Sequence, residues 1–320
     1  MKAIVLTTKN ELPTLIDRPK PSPGAGEVLV EIKAAALNHR DVWISKGQYP
    51  GIEEGITIGS DGAGLLGDRR VLINPNVGWG DNPAFPSKSY TILGMPTNGT
   101  FAEYLAVSED RLIDMPDHLD FHQGAALPLG GLTAYRALVT KGQVQAGDRV
   151  LISGVGGGVA LFAFQFALAA GADVYVTSGS EEKIQKAIEM GAKGGANYRD
   201  PEFAKNLKGM AGGFDVVIDS AGGDGLAQLA KLCKPGARIA MYGGTRGKIN
   251  GLSPQILFWK QISFLGTSMG TDQEFKDMVA FVAKHQIVPV VDSVFDFSEA
   301  QQAFERMDNG LQFGKIVLKV

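Results

Sequence analysis

The sequence predicts an α/β protein of two lobes, a β-rich lobe whose chain is interrupted by an inserted domain of alternating strands and helices. Three observations carry this prediction. Residues 1–120 read as short strands separated by Pro and Gly clusters, the texture of a barrel-like all-β lobe. From residue 149 onward, strand-length apolar runs alternate with helix-length segments, which is βαβ texture. The tail, 287–320, returns to strand, helix and strand, and its last run, KIVLKV, can rejoin the first lobe. The expected division is 1–122 completed by 287–320 for the β-rich lobe, with 123–286 as the inserted domain.

In the β-rich lobe the expected strands are AIVL (3–6), EVLVEIKAAAL (27–37), RRVLI (69–73) and FAEYLAV (101–107). Residues 74–98 form a long loop rich in Pro, Gly, Asn and Ser, and loops of that length in a compact domain are usually functional or vestigial. A helical segment over 124–142 leads into the most informative stretch of the chain, 149–183. There an apolar run at 150–152 breaks at Ser153 and Gly154, and glycines follow at Gly156, Gly157 and Gly158. An apolar helix over 159–170 is closed by Gly171, and a second strand spans 172–177. This is the unit that lays a dinucleotide pyrophosphate on a helix N-terminus; glycines let phosphate oxygens approach backbone N–H groups with no Cβ in the way. The glycine pattern is imperfect, with Val155 at the first glycine place and Ala160 at the third, so the flanking strands and spacing carry the assignment. Further alternation runs through strands in 214–223, 237–244 and 262–268 and helices over 225–233 and 273–285.

The composition narrows the function. At 320 residues, 44% hydrophobic and 20% charged, the chain has ample material for two cores. A formal net charge of −3 offers no footprint for nucleic acid. No apolar run reaches membrane-spanning length, and the N-terminal apolar run of four residues is too short for a signal peptide, so the expected location is cytoplasmic. The single cysteine, Cys233, excludes an internal disulfide and a multi-cysteine zinc site.

Five segments together resemble the medium-chain dehydrogenase/reductase superfamily across essentially the whole chain: PGAGEVLVEIKAAALNHRD (23–41), GSDGAG (59–64), AALPLGGLTAYRAL (125–138), GDRVLISGVGGGVA (147–160) and FGKIVL (313–318). The resemblance implies a Rossmann dinucleotide-binding domain inserted in a GroES-like catalytic domain, with hydride transfer in the cleft between them. It also implies a subclass. The catalytic zinc ligands of zinc alcohol dehydrogenases match Asn38, Ser60 and Leu129 here, and none of these is a good zinc ligand. The 74–98 loop, which matches the structural-zinc lobe, has no cysteine. No metal is therefore expected, and the chain resembles the zinc-independent quinone oxidoreductase and enone reductase branch, whose substrates are already electrophilic.

Gly156, Gly157, Gly158 and Val159 are expected to meet the pyrophosphate. At the end of the second strand, hydroxyls at Thr177, Ser178 and Ser180 and the cation of Lys183 stand where an NAD site usually places a carboxylate. That substitution favours NADPH; Glu181 and Glu182 read as a solvated first helical turn. The resemblance adds Tyr198 beside the adenosine phosphate, Thr133 at the carboxamide, and Gly243, Phe313 and Gly314 to the cofactor site. It places Asn38 near nicotinamide and substrate and Tyr49 in the active-site lining, with half-exposed loop and helix-lining roles as the bland alternatives for Tyr49 and Thr133. Asp41 and Asp61 read as structural, and Arg40 as a bridging ion or a cleft cation. His118 and His122 have the spacing of paired ligands but no third partner.

The expected activity is NADPH-dependent hydride transfer to quinones or α,β-unsaturated carbonyls, with Tyr49 or water supplying the proton. A metal-free alcohol or aldehyde dehydrogenase and a non-catalytic NADPH-binding protein remain alternatives. The partners expected are a small-molecule substrate, no nucleic acid and no membrane. A homodimer is also expected, paired through the apolar edge strand at 261–268, because an uncovered edge is a liability in a soluble protein.

Overall fold

A computed structural model describes all residues, 1–320. The chain divides into two compact units, Met1–Leu132 with Gly270–Val320, and Thr133–Met269. No helix is long and apolar enough to cross a membrane.

The first unit is β-rich, as its composition predicts. Its largest sheet has the order Leu112–Asp114, Arg69–Ile73, Asp61–Leu66, Glu27–Ala36, Lys315–Lys319, Val291–Asp296, with Tyr104–Ser108 also paired to Glu27–Ala36. The final strand does rejoin this unit: Val317 pairs with Ala36, antiparallel, while Ala36 pairs on its other side with Asp61. Three strand ends thereby converge on residues 36–38. A second sheet sets Lys2–Leu6 between Thr14–Asp17 and Ile56–Thr57. Inside lie Ile4, Leu6, Leu37, Ile44, Ile58 and Phe101, with Phe101 edge-on to Phe304 at 6.4 Å. The 74–98 segment is more ordered than its composition suggests, because Asn76–Val77 pairs with Thr91–Ile92 and Tyr90 Oη donates to Asn76 Oδ1 (2.5 Å).

The second unit carries six parallel strands in the order Gly194–Asn197, Asp173–Ser178, Arg149–Ile152, Phe214–Asp219, Cys233–Met241, Ser263–Gly266. In chain order this is 3-2-1-4-5-6, the doubly wound arrangement whose ligand crevice opens at the carboxyl ends beside the first strand. The helix Gly158–Ala169 buries Ala160 through Phe164, Phe166 and Ala167, which explains why its sequence is apolar all round instead of amphipathic.

The expected boundaries at 122/123 and 286/287 differ from the observed ones. The helix Phe121–Ala126 packs on the strands Glu27–Ala36 and Asp61–Leu66, and Leu129 N donates to Asp61 Oδ1 (2.7 Å). At the other crossing Asp272 accepts both Nη atoms of Arg111 (2.6 Å each) and Asn74 Nδ2 (2.8 Å). These polar ties bind 123–132 and 270–286 to the β-rich unit. Nothing in the alternation of apolar residues records them.

Candidate functional site

In the second unit the glycine turn forms as its spacing predicts. Gly154 and Gly156 have φ of +71° and +119°, values that disfavour any side chain. The turn is pinned to the second strand: Val155 N donates to Thr177 O (2.8 Å) and Gly154 N to Thr177 Oγ1 (3.2 Å). Gly157 is the N-cap of the helix Gly158–Ala169 and has no side chain to cap it. The N–H groups of Gly158 and Val159 thus open the helix with no intrahelical acceptor, the arrangement that receives an anion. A Cβ on Gly156 would lie 2.8 Å from Lys183 Cδ, so the Lys183 stem crosses directly over the turn.

At the end of the second strand Ser178 is buried, and its Oγ accepts Ser180 N (3.3 Å). Ser180 Oγ accepts Lys183 N (3.4 Å), capping the helix Glu181–Glu189. Tyr198 stands beside this end, its N–H bonded to Ser178 O (3.1 Å) and its ring under the Arg246 guanidinium at 5.5 Å. A Cβ on Gly179 would touch both Tyr198 Oη (2.7 Å) and Arg199 Nε (3.0 Å). Lys183, Arg199 and Arg246 therefore gather with hydroxyls around one strand end. Arg199 and Arg246 escape a sequence reading because they arrive from separate loops. Glu182 pairs instead with Lys186 (2.7 Å), which holds its carboxyl below the usual range, and both sit on the helix surface.

Asp219, at the end of the fourth strand, escapes it as well. Its carboxylate accepts Ser153 Oγ (2.5 Å), Gly222 N (2.7 Å) and Ala221 N (3.1 Å), and burial pushes its pKa up. It ties the first strand's end to the fourth strand's turn. Gly243 lies against that turn, where a Cβ would fall 2.6 Å from Ser220 O. Thr133 is buried, with its hydroxyl 3.7 Å from Met269 Sδ.

In the first unit Asn38 is the N-cap of the helix His39–Ser45 and is 8% exposed. Its Oδ1 accepts Lys315 Nζ (2.7 Å), and its Nδ2 donates to Asp61 Oδ2 (2.9 Å). Lys315 also bonds Asp61 Oδ2 (2.8 Å), so a buried cation, a buried carboxylate and a carboxamide close one triangle. Lys315, absent from the expected site, is held there by its neighbour: Gly314 has φ +123°, and a Cβ on it would lie 2.4 Å from Val290 O. Phe313 N is fixed by Asp292 Oδ1 (2.8 Å).

Arg40 is buried. It donates to Ser60 Oγ (2.8 Å), Leu93 O (2.8 Å) and Met95 O (3.4 Å), and its Nε reaches Tyr49 Oη (3.3 Å) with the guanidinium 4.9 Å from the ring centre. Asp41 is fully buried beside it; Oδ2 accepts Asn38 N (2.8 Å), while Oδ1 has no partner. Burial pushes its pKa up to about 6, against the pull of Arg40 and Lys315 and with the help of Asp61. His118 bonds Ile287 O (3.0 Å), a structural contact, and no cluster of three or more His, Cys, Asp or Glu that could hold a metal ion is present.

Comparison with known proteins places these features. Residues 24–117 match the alcohol dehydrogenase GroES-like domain, and 158–284 match the zinc-binding dehydrogenase family. The chain is 37% identical to the zinc-type alcohol dehydrogenase-like protein YogA of Leptosphaeria maculans, over 94% of this chain and 92% of that protein. It is 31% identical to the quinone oxidoreductase of Rattus norvegicus, over 93% and 90%. Among solved structures, an NAD-dependent alcohol dehydrogenase superposes with a TM-score of 0.93 at 34% identity, covering 100% of both chains. The quinone oxidoreductase of Thermus thermophilus, solved also with NADPH, superposes at 0.83 with 27% identity, again over 100% of both.

Asp41 generates a pH prediction. A carboxyl whose pKa is raised in the folded state binds protons more tightly there than when unfolded, so its contribution to stability falls as pH rises from about 4 to about 6. Asp41→Asn stays neutral at every pH and keeps an acceptor for Asn38 N–H. Urea titrations should show the variant gaining about 1–3 kcal/mol on the unmodified protein between pH 4 and pH 7. Parallel stability profiles would remove Asp41 as the titrating group.

Proposed function

Because the chain belongs to the medium-chain dehydrogenase/reductase superfamily, and so is an oxidoreductase of that type, we propose that it is an NADPH-dependent reductase of quinones or α,β-unsaturated carbonyls that works without a metal. The observation that carries this reading is the triangle of Asn38, Asp61 and Lys315. The zinc-ligand positions of zinc relatives correspond to Asn38, Ser60 and Leu129. Here Asn38 is consumed by Lys315 and Asp61, Ser60 accepts from Arg40, and Leu129 offers only a backbone N–H, already given to Asp61. Two buried cations, Lys315 and Arg40, occupy the neighbourhood, and none of the three matched positions carries a thiolate or an imidazole. This donor set does not fit zinc. A substrate that needs no Lewis acid suits it: a quinone or enone is electrophilic before it binds.

NADPH, when bound, supplies the hydride. The chain's own residues hold and orient. Gly157, Gly158 and Val159 offer N–H groups to the pyrophosphate, and Ser178, Ser180, Lys183, Tyr198, Arg199 and Arg246 suit a 2′-phosphate by charge and hydroxyl chemistry. In the first unit Arg40 donates to the Tyr49 phenolic oxygen, which leaves the phenolic proton for a substrate anion. The likeness to an NAD-dependent alcohol dehydrogenase supports a second reading, NAD-linked alcohol oxidation. NADPH oxidation with a panel of quinones and enones, run beside alcohols with NAD⁺, separates the two. Turnover confined to alcohols would reverse the proposal.

The cofactor arm is tested by binding. NADPH should bind more tightly than NADH, and Arg246→Ala should weaken NADPH by about 1.5–3 kcal/mol while leaving NADH nearly unchanged. Equal dissociation constants in the unmodified protein would refute the preference.

A homodimer is part of the same proposal. Ser263–Gly266 is the edge of the six-stranded sheet, and the helix just before it, Pro254–Lys260, exposes Phe258 (53%) and Trp259 (79%), with ring centres 5.6 Å apart. An apolar pair beside an open edge calls for cover, and a two-fold mate supplies it in a self-closing way. Sedimentation at micromolar concentration should give twice the 33.9 kDa chain mass, and Trp259→Glu should shift it toward that of one chain. A monomer in the unmodified protein overturns the pairing.

A further inference from the structure

We propose that Lys315 is a positioning residue, which fixes the Asn38 carboxamide so that it serves the substrate as an N–H donor and never as an acceptor. The inference deepens the reductase reading and rests on it for the identity of the substrate carbonyl. Its geometry stands apart from that reading.

A carboxamide can present either its oxygen or its nitrogen, and the two ends are nearly equal in size. Here chemistry permits one orientation. An ammonium only donates and an ionised carboxylate only accepts, so the end facing Lys315 must be Oδ1 and the end facing Asp61 must be Nδ2. Both partners are buried: Lys315 is 3% exposed and Asp61 0%. Asp61 takes three donors, Leu129 N on Oδ1 and Lys315 and Asn38 on Oδ2. Turning the amide over would set Oδ1 against the carboxylate and NH₂ against the ammonium, two repulsive contacts in place of two attractive ones. The flip is closed by electrostatics.

Nδ2 carries two hydrogens, and Asp61 takes one. The second has no acceptor in the protein, and Asn38 retains 8% exposure. Oδ1 is turned to Lys315 and to the Asp41 N–H in the capping box of the helix His39–Ser45, so what Asn38 can still bring to a ligand is a donated N–H. Lys315 strengthens it, because an ammonium on the amide oxygen draws electron density from the nitrogen and polarises the remaining N–H. A quinone or enone gains negative charge on its carbonyl oxygen as the hydride arrives, and a polarised N–H answers that charge. Lys315 touches no substrate in this scheme and acts wholly through Asn38.

The test combines kinetics with an exchange measurement that needs no turnover. With 1,4-benzoquinone and NADPH, Lys315→Met should lower kcat ten- to hundredfold and leave the KM for NADPH within about twofold, and Lys315→Arg should restore part of the loss. In an Asn38→Ala background the Lys315→Met change should cost nothing more. A loss that multiplies with that of Asn38→Ala, or a lower Tm with kcat unchanged, overturns the proposal. Separately, in the unmodified protein labelled with ¹⁵N-asparagine, the two Nδ2 protons of Asn38, assigned by their absence in Asn38→Ala, should exchange with solvent at rates at least tenfold apart. Lys315→Met should bring them together. Equal rates in the unmodified protein overturn the fixed orientation, even if Lys315→Met fails to fold. If no quinone or enone is turned over, the reductase reading falls and the exchange rates alone decide the role of Lys315.

Discussion

The first unit is organised around a buried ion pair, Lys315 with Asp61, that its strands converge to satisfy. Taking both charges out of water is costly, and only complete pairing offsets the cost. Asp61 receives three donors, from Lys315, Asn38 and the backbone of Leu129. Lys315 lies 277 residues along the chain from Asn38 and 254 from Asp61, so the triangle closes only when the final strand has rejoined the sheet beside Glu27–Ala36. Removing either charged corner would strand the other charge in a dry site. The pair accordingly holds the two chain ends of this unit in one register, and it sets what Asn38 has left to offer.

The second unit depends on a different constraint, the steepness of the glycine turn. Gly154 and Gly156 adopt left-handed backbone, and the turn they make is tied to Thr177 on the neighbouring strand. That tie sets the helix N-terminus beside the end of the second strand, where the hydroxyls and cations collect. Asp219 repeats the device on the other side of the first strand, through Ser153. Backbone N–H groups and side chains thus meet at the carboxyl ends of neighbouring central strands, and Arg199 and Arg246 reach the same place from loops.

The names of similar proteins divide between zinc-type alcohol dehydrogenase and quinone oxidoreductase. Both share the fold, and the fold alone does not choose. The choice rests on side chains. Around Asn38 and Ser60 this chain buries an ammonium and a guanidinium, each hydrogen-bonded to neutral or anionic partners.

By itself the sequence determined the two-unit α/β architecture, the order of its elements, the glycine turn, and the hydroxyl and lysine at the second strand's end. All of these are local: apolar period, glycine spacing and strand length act over a few residues and leave a record in the string. It also pointed to Asn38 and Tyr49 as candidates, through resemblance, and the structure brings Arg40 and Ser60 between them. Only the tertiary structure decided the boundaries at 132/133 and 269/270, because they follow from polar ties such as Arg111 with Asp272 across more than a hundred residues. The same holds for Lys315, which reads in sequence as one lysine opening a strand and becomes a buried partner of Asn38 only through strand pairing. Arg199 and Arg246 are equally silent as sequence. Electrostatic partnership between distant residues has no period and no motif, since it depends on distance in space, and folding alone sets that distance.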